Sequence, residues 1–178
     1  MKILYLSYDG MTDPLGQSQI IPYLTGLSKA GYQITILSCE KKQPFIKQKN
    51  NIKKLLQSNN IKWKPIPYSS YPPVLSTIWD IYKLKRKAIQ LNSKTNFDIV
   101  HCRSYIASLI GLSLKFRYNI KFIFDMRGFW ADERLDGNIW NHKNLIYRYI
   151  YKYFKKKEKD CIGKCVLFAM ELKELAMA

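Results

Sequence analysis

The chain opens MKILYLSYDGMTDPLGQSQIIPYLTGLSKAGYQITILS, residues 1–38, and the reading of this stretch decides the fold class. A continuous apolar run at 3–7 leads into a glycine-bearing turn, and a second such run lies at 33–38. Between them, residues 17–30 place Ile20, Ile21, Leu24 and Leu27 on one face of a helix, closed by Gly31 where helices commonly stop. Unbroken apolar strands joined by a helix are the pattern of a βαβ unit in a parallel sheet covered on both faces.

The pattern recurs downstream. Strand-like runs at 61–66, 98–102, 121–125 and 165–168 join the first two. Together they predict an α/β fold, a Rossmann-like parallel sheet with helices on both faces. Helical spacing of Phe45, Ile52, Leu55 and Leu56 predicts a helix over 44–58, ended by Asn59 and Asn60. Four prolines within 65–73 predict a loop at the sheet edge. Further helices are expected over 74–91, 105–116 and 144–160, the last with Leu145, Ile146, Tyr149, Ile150 and Tyr153 on one side, and a short one over 171–176. The stretch 125–142 is long for a connection inside a compact domain, and long connections are usually functional.

At 178 residues, 47% hydrophobic and 14% aromatic, the chain suits one domain with a substantial core, which excludes a disordered or low-complexity segment. Cys39, Cys102, Cys161 and Cys165 have neither paired spacing nor histidine partners, so buried thiols are expected and no metal site is. The first apolar run reaches Asp9 too soon for a signal peptide or a spanning helix, so a cytoplasmic location is expected. Thirty Lys and Arg against 13 Asp and Glu give a net charge of +17, which favours polyanionic partners such as nucleic acid or anionic lipid. The excess gathers at Lys83, Lys85, Arg86 and Lys87, and at Lys152, Lys155, Lys156, Lys157 and Lys159. Either cluster reads as a solvated helix face or as a docking surface. No nucleic-acid-reading motif accompanies them, so no nucleic acid partner is expected.

Three constellations fall at predicted carboxyl ends of strands, where open α/β sheets bind their ligands. The first is the turn from Tyr8 to Gln19, with Gly10 and Gly16; it is not GxGxxG, and no GxxxxGK[ST] occurs, so nucleotide binding by those devices loses its support. A plain turn is the alternative. The second is DIVHCRS, 98–104, where His101 suits a general base and Arg103 a carboxylate or phosphate, against the plainer reading of a core histidine. The third is FDMRGFWADERLDG, 124–137. Here Asp125 can take a proton from an attacking hydroxyl, and Phe129, Trp130 and Trp140 suit stacking on sugar rings. An internally salt-bridged loop, Asp125 with Arg127 or Glu133 with Arg134, is the alternative.

Taken in order, MKILYLSYDG, LGQSQIIPYLTGLSKAGYQITILS, FDIVHCRS and FIFDMRGFWADERLDG resemble the N-terminal domain of GT-B glycosyltransferases of family 4, the group 1 type. The resemblance runs from Met1 to about Asp160. It implies residues 1–178 as one acceptor-side domain without the C-terminal domain that binds a nucleotide sugar. It also implies sugar transfer to a glycan or lipid-linked acceptor of the cell-surface polysaccharide type, with retention and no required metal or other cofactor. By position, Gly16, Gln17 and Ser18 would face the donor phosphates, Asp125 and His101 would be catalytic, and Arg103, Arg127, Trp130 and Glu133 would bind acceptor. The family's implicated histidine often lies at the position that Arg103 holds here. Such a chain would be inactive alone, docked where the acceptor is lipid-linked on the inner face of an anionic membrane. A basic nucleic-acid-binding module and a nonfunctional remnant are the alternatives.

Overall fold

A computed structural model describes residues 1–72, 74–137, 139–141 and 143–170, the last four as backbone only. Six parallel strands form one sheet: β1 (Lys2–Ser7), β2 (Gln33–Glu40), β3 (Lys62–Pro67), β4 (Ile99–Arg103), β5 (Lys121–Met126) and β6 (Leu167–Met170). They lie in the order β3-β2-β1-β4-β5-β6. The order reverses direction between β1 and β4, which opens a crevice at their carboxyl ends. The helices are α1 (Ile21–Lys29), α2 (Lys42–Ser58), α3 (Leu75–Thr95), α4 (Ser104–Tyr118), α5 (Trp130–Asp136) and α6 (Leu145–Lys164).

Alternation along the strands divides the interior into two cores. Leu4, Leu6, Leu37, Val100, Cys102, Phe122 and Phe124 point to one face, against Leu84 and Ala88 of α3, Ile110 and Leu114 of α4, and Phe154 and Cys161 of α6. Tyr5, Ile34 and Ile36 point to the other, against Met11, Ile20, Ile21, Leu24, Ile52 and Leu56. That second core takes no described side chain from β4 or β5.

The loop after β1 is bolted to the end of β2. Glu40, 3% exposed, accepts from Met11 N (2.8 Å), Thr12 N (3.2 Å), Thr12 Oγ1 (2.6 Å) and Ser38 Oγ (2.6 Å). Such a carboxylate is affordable inside because its lone pairs are filled. The approach is so close that a Cβ on Gly10 would lie 2.7 Å from Glu40 Oε2, and one on Gly16 would collide with the Gly10 carbonyl. Both glycines are therefore demanded by space.

Four elements differ from expectation. The helix read from residue 17 begins earlier, at Pro14, and passes through a π-helical turn, Gly16–Ile20, in which Ile21 N–H donates to Gly16 O. Pro65 and Pro67 lie inside β3, since that edge strand pairs only with β2 and its other side needs no ladder hydrogen bonds. The connection 125–142 contains α5. On α6 the stripe Leu145, Ile146, Tyr149 and Tyr153 faces outward, while Phe154, Glu158 and Cys161 turn in. The helix expected over 171–176 lies outside the described residues. Cys39, Cys102 and Cys161 are buried free thiols, and Cys165 is a half-buried one.

Gly16→Ala is expected to destabilise the fold by more than ~2 kcal/mol through forced backbone displacement. Gly26→Ala, on the open face of α1 with nothing within 4 Å, is expected to stabilise it by ~0.5–1 kcal/mol. Urea midpoints of the two variants against the parent check both signs.

Candidate functional site

The crevice at the reversal holds a cavity of about 360 Å³ lined by Tyr5, Gln19, Ile20, Tyr23, His101, Arg103, Asp125 and Arg127. The sheet register assembles it. Tyr5 pairs with His101 across β1 and β4, and Arg103 pairs with Asp125 across β4 and β5, so four alternate positions present their side chains to one face. Ser104 follows at φ +64°, in the left-handed region that a non-glycine residue seldom takes, turning the chain at once from Arg103 into α4.

Arg103 is the hub. Only 5% exposed, it sends Nη2 to Gln19 Oε1 at 2.6 Å, while its Nη1 lies 3.9 Å from Asp125 Oδ2 and its Nε 3.7 Å from Asp9 Oδ2. Arg127 converges from the β5 loop, with Nη2 on the same Gln19 oxygen at 2.9 Å and Nη1 3.5 Å from Asp125 Oδ1. The π-helical turn sets Gln19 at the cavity mouth while Ile20 and Ile21 stay in the core, and such bulges often serve functional sites.

His101 sits beneath, 6% exposed, with the rings of Tyr5 and Tyr23 edge-on at 4.8 and 5.7 Å. Its Nε2 is 4.0 Å from Asp125 Oδ2 and makes no hydrogen bond. Burial, and then the Arg103 charge, lower its pKa to about 4, so the ring is neutral near pH 7. Burial raises the pKa of the Tyr5 and Tyr23 hydroxyls, which stay protonated donors.

Of the residues expected at the site, His101, Arg103, Asp125 and Arg127 line the cavity. Gly16, Gln17 and Ser18 form the adjoining turn, where Gln17 Nε2 donates to Thr12 O (3.0 Å) and Ser18 Oγ to Pro14 O (2.9 Å). Trp130 and Glu133 do not line the cavity. The Trp130 ring packs against Tyr105, Trp140 and Phe154 on the α4–α6 side, under Arg134, because α5 lies against α6 there. The Glu133 carboxylate folds over Gly128. Tyr5, Gln19 and Tyr23 were not singled out from sequence, although the spacing from Gln19 to Tyr23, one helical turn, and the odd parity of Tyr5 in β1 carried the signal.

A Rossmann-like sheet with its polar cavity at the strand-order reversal is the architecture of one half of a GT-B glycosyltransferase. Residues 22–160 match Glycosyltransferase Family 4, and the chain belongs to that family. Among solved structures, Glycyrrhiza uralensis UGT73P12 complexed with glycyrrhetinic acid 3-O-monoglucuronide superposes at TM-score 0.59 with 13% identity, over 96% of this chain and 43% of that one. CalG4, the calicheamicin glycosyltransferase, gives 0.56 with 14% identity, over 88% and 42%. Arabidopsis thaliana UGT89C1 complexed with UDP-L-rhamnose gives 0.52 with 12%, over 95% and 44%. At these identities the likeness is one of fold, and this chain spans less than half of each of those chains. No curated protein matches the sequence.

Because unfolding releases His101 to its ordinary pKa of 6.5, the unfolded chain takes up the proton first as pH falls. The stability held in the neutral ring is full above pH 6.5 and drains away between 6.5 and about 4. The expected loss is ~3 kcal/mol across that window. Urea midpoints at pH 7 and pH 4.5 should fall less for His101→Gln than for the parent.

Proposed function

We propose that this domain is the acceptor-side half of a glycosyltransferase that moves a sugar from a nucleotide-sugar donor to a glycan or lipid-linked acceptor, with the donor held by a separate GT-B half. The observation that carries this reading is the cavity at the sheet's reversal point in a chain of Glycosyltransferase Family 4, where a carboxylate, a neutral imidazole and two guanidiniums meet. The acceptor hydroxyl lies against Asp125 and His101. As its oxygen bonds to the anomeric carbon, the bond from that carbon to the nucleotide phosphate breaks and the hydroxyl proton passes to Asp125. Arg103 and Arg127 fix that carboxylate, and His101, a neutral ring weakened as a base by its pKa of about 4, orients the hydroxyl.

Gly16, Gln17 and Ser18 lie in the first turns of a helical stretch that begins at Pro14 at the crevice rim, where the helix dipole favours donor phosphates. This chain binds acceptor but not nucleotide, and is inactive alone. No described helix is long and apolar enough to cross a membrane. Peripheral docking on an anionic surface is supported by two helix faces. On α3, exposed Leu75, Ile78, Trp79 and Tyr82 precede the basic run at Lys85 and Arg86; on α6, exposed Leu145, Ile146 and Tyr149 precede Lys152, Lys156 and Lys159. Apolar and aromatic side chains beside lysines suit a lipid headgroup region.

With nucleotide sugar and acceptor present, the isolated chain should give no transfer, and adding a donor-binding GT-B half should restore it. Robust turnover by the chain alone would sink the proposal. In co-sedimentation at physiological salt, anionic vesicles should retain the chain and zwitterionic ones should not. Retention by random oligonucleotides with no vesicle binding would favour a nucleic-acid partner.

A further inference from the structure

The cavity offers more donors than acceptors. Its lining carries two guanidiniums against one carboxylate, together with the Tyr5 and Tyr23 hydroxyls and an uncharged imidazole. Both guanidiniums spend an Nη2 donor on one and the same neutral oxygen, Gln19 Oε1, at 2.6 and 2.9 Å. The carboxylate oxygens paired with Arg103, Asp9 Oδ2 and Asp125 Oδ2, stand at 3.7 and 3.9 Å, beyond the ~2.7–2.9 Å of a charge-assisted hydrogen bond.

Arg103 is the sharper case. Its side chain is 6% exposed, yet its buried Nε has no hydrogen-bond partner. Burying a charged donor unsatisfied is costly, and a planar five-donor fork in that position suits a ligand with fixed, anionic oxygens. Gln19 is exposed at the mouth, so its amide can swing into water and give up its place at small cost.

The geometry points to an acceptor that carries an anionic oxygen group, a carboxylate or a phosphate, seated where Gln19 Oε1 now sits and gripped by Arg103 and Arg127. This rests on the acceptor reading above and narrows it from sugars at large to acidic ones. The anionic group then anchors the acceptor beside Asp125 and His101, and Gln19 acts as a stand-in that keeps the two guanidiniums together while the site is empty. A neutral hydroxyl in that place would bring the Arg103 fork no charge-assisted hydrogen bonds, which is the basis of discrimination.

The test titrates the 178-residue chain at physiological salt with glucose, glucuronate, glucose 1-phosphate and inorganic phosphate, following the arginine Nε–H resonances by 15N NMR. Glucuronate, glucose 1-phosphate or both should bind about tenfold or more tighter than glucose and shift the Arg103 signal. That preference should be lost in Arg103→Lys and in Arg127→Gln, whereas Gln19→Ala should keep or raise it. Lys54→Gln, on the exposed face of α2, should change nothing. Thermal unfolding of each variant confirms that it is folded; Arg127, less buried than Arg103, serves where Arg103→Lys is not. Preference for glucuronate alone supports the carboxylate source, and preference for glucose 1-phosphate alone the phosphate source. Equal affinity for glucose and the charged sugars overturns the anion inference and leaves the sugar-acceptor reading standing. Inorganic phosphate binding as tightly as glucose 1-phosphate, with loss in both arginine variants, supports the anion site and counts against a sugar there. A preference that survives both arginine substitutions overturns the inference, since the general basic surface would then be its source.

Discussion

The buried carboxylate of Glu40 is the constraint on which the crevice depends. By filling its lone pairs with donors from Met11, Thr12 and Ser38, it ties the loop after β1 to the end of β2. Once that loop is fixed, Gly10 has no room for a Cβ against the bonded Glu40 carboxylate, and Gly16 none against the backbone of Gly10 and Met11. Lys41 adds an outer tie to Asp13 at 2.9 Å. The helical stretch then starts at a set height over the sheet, and the π-helical turn rotates Gln19 onto Arg103 while Ile20 and Ile21 remain buried. A contact between residues 84 apart in sequence thus follows from one acid at the end of a neighbouring strand.

The strands were legible because strands covered on both faces read as largely apolar runs, near-continuous in β1 and β2 and closing on polar residues at the carboxyl ends of β4 and β5. The prolines of β3 hid its last residues, since their tolerance depends on which side of the strand is paired, a fact of the assembled sheet. On α6 both faces carry large apolar residues, and the inward one includes Glu158. Its burial is explained only by Tyr105 and Lys155, which bond its two oxygens, and by Lys155 and Tyr151, which also reach Asp132. No periodicity in α6 alone announces an inward glutamate. The cluster of lysines there is likewise mixed: Lys155 is part of this internal network, while Lys152, Lys156 and Lys159 face solvent.

At the site, the strand-end residues His101, Arg103, Asp125 and Arg127 could be read from their place after apolar runs. Gln19 was harder to read: its one-turn spacing to Tyr23 was the only signal, and the π-helical turn changes which side chain points inward where sequence spacing assumes regular turns. Trp130 shows the reverse: an aromatic in a polar loop suggests a stacking platform, and α5 turns the ring away from the cavity toward Phe154 and Trp140, a placement that its loop sequence does not announce.

Why the polar cluster survives folding at all follows from the two-core arrangement. The helices α4 and α6 cover one face of β4 and β5, and Val100, Cys102, Phe122 and Phe124 supply the apolar contacts that hold those strands. The opposite positions of the same strands are released from packing, because the second core takes its described side chains from β1 and β2 with α1 and α2. There the chain can place His101, Arg103 and Asp125 at a cost met by the other face. Alternation thus separates the work of the two sides: odd-numbered positions of β4 and β5 carry chemistry, even-numbered ones carry stability. The same parity explains why the histidine is neutral. It shares its surface with a cation and aromatic rings and is shielded from water, so the imidazole holds no charge of its own and leaves Arg103 and Arg127 as the positive groups of the cavity.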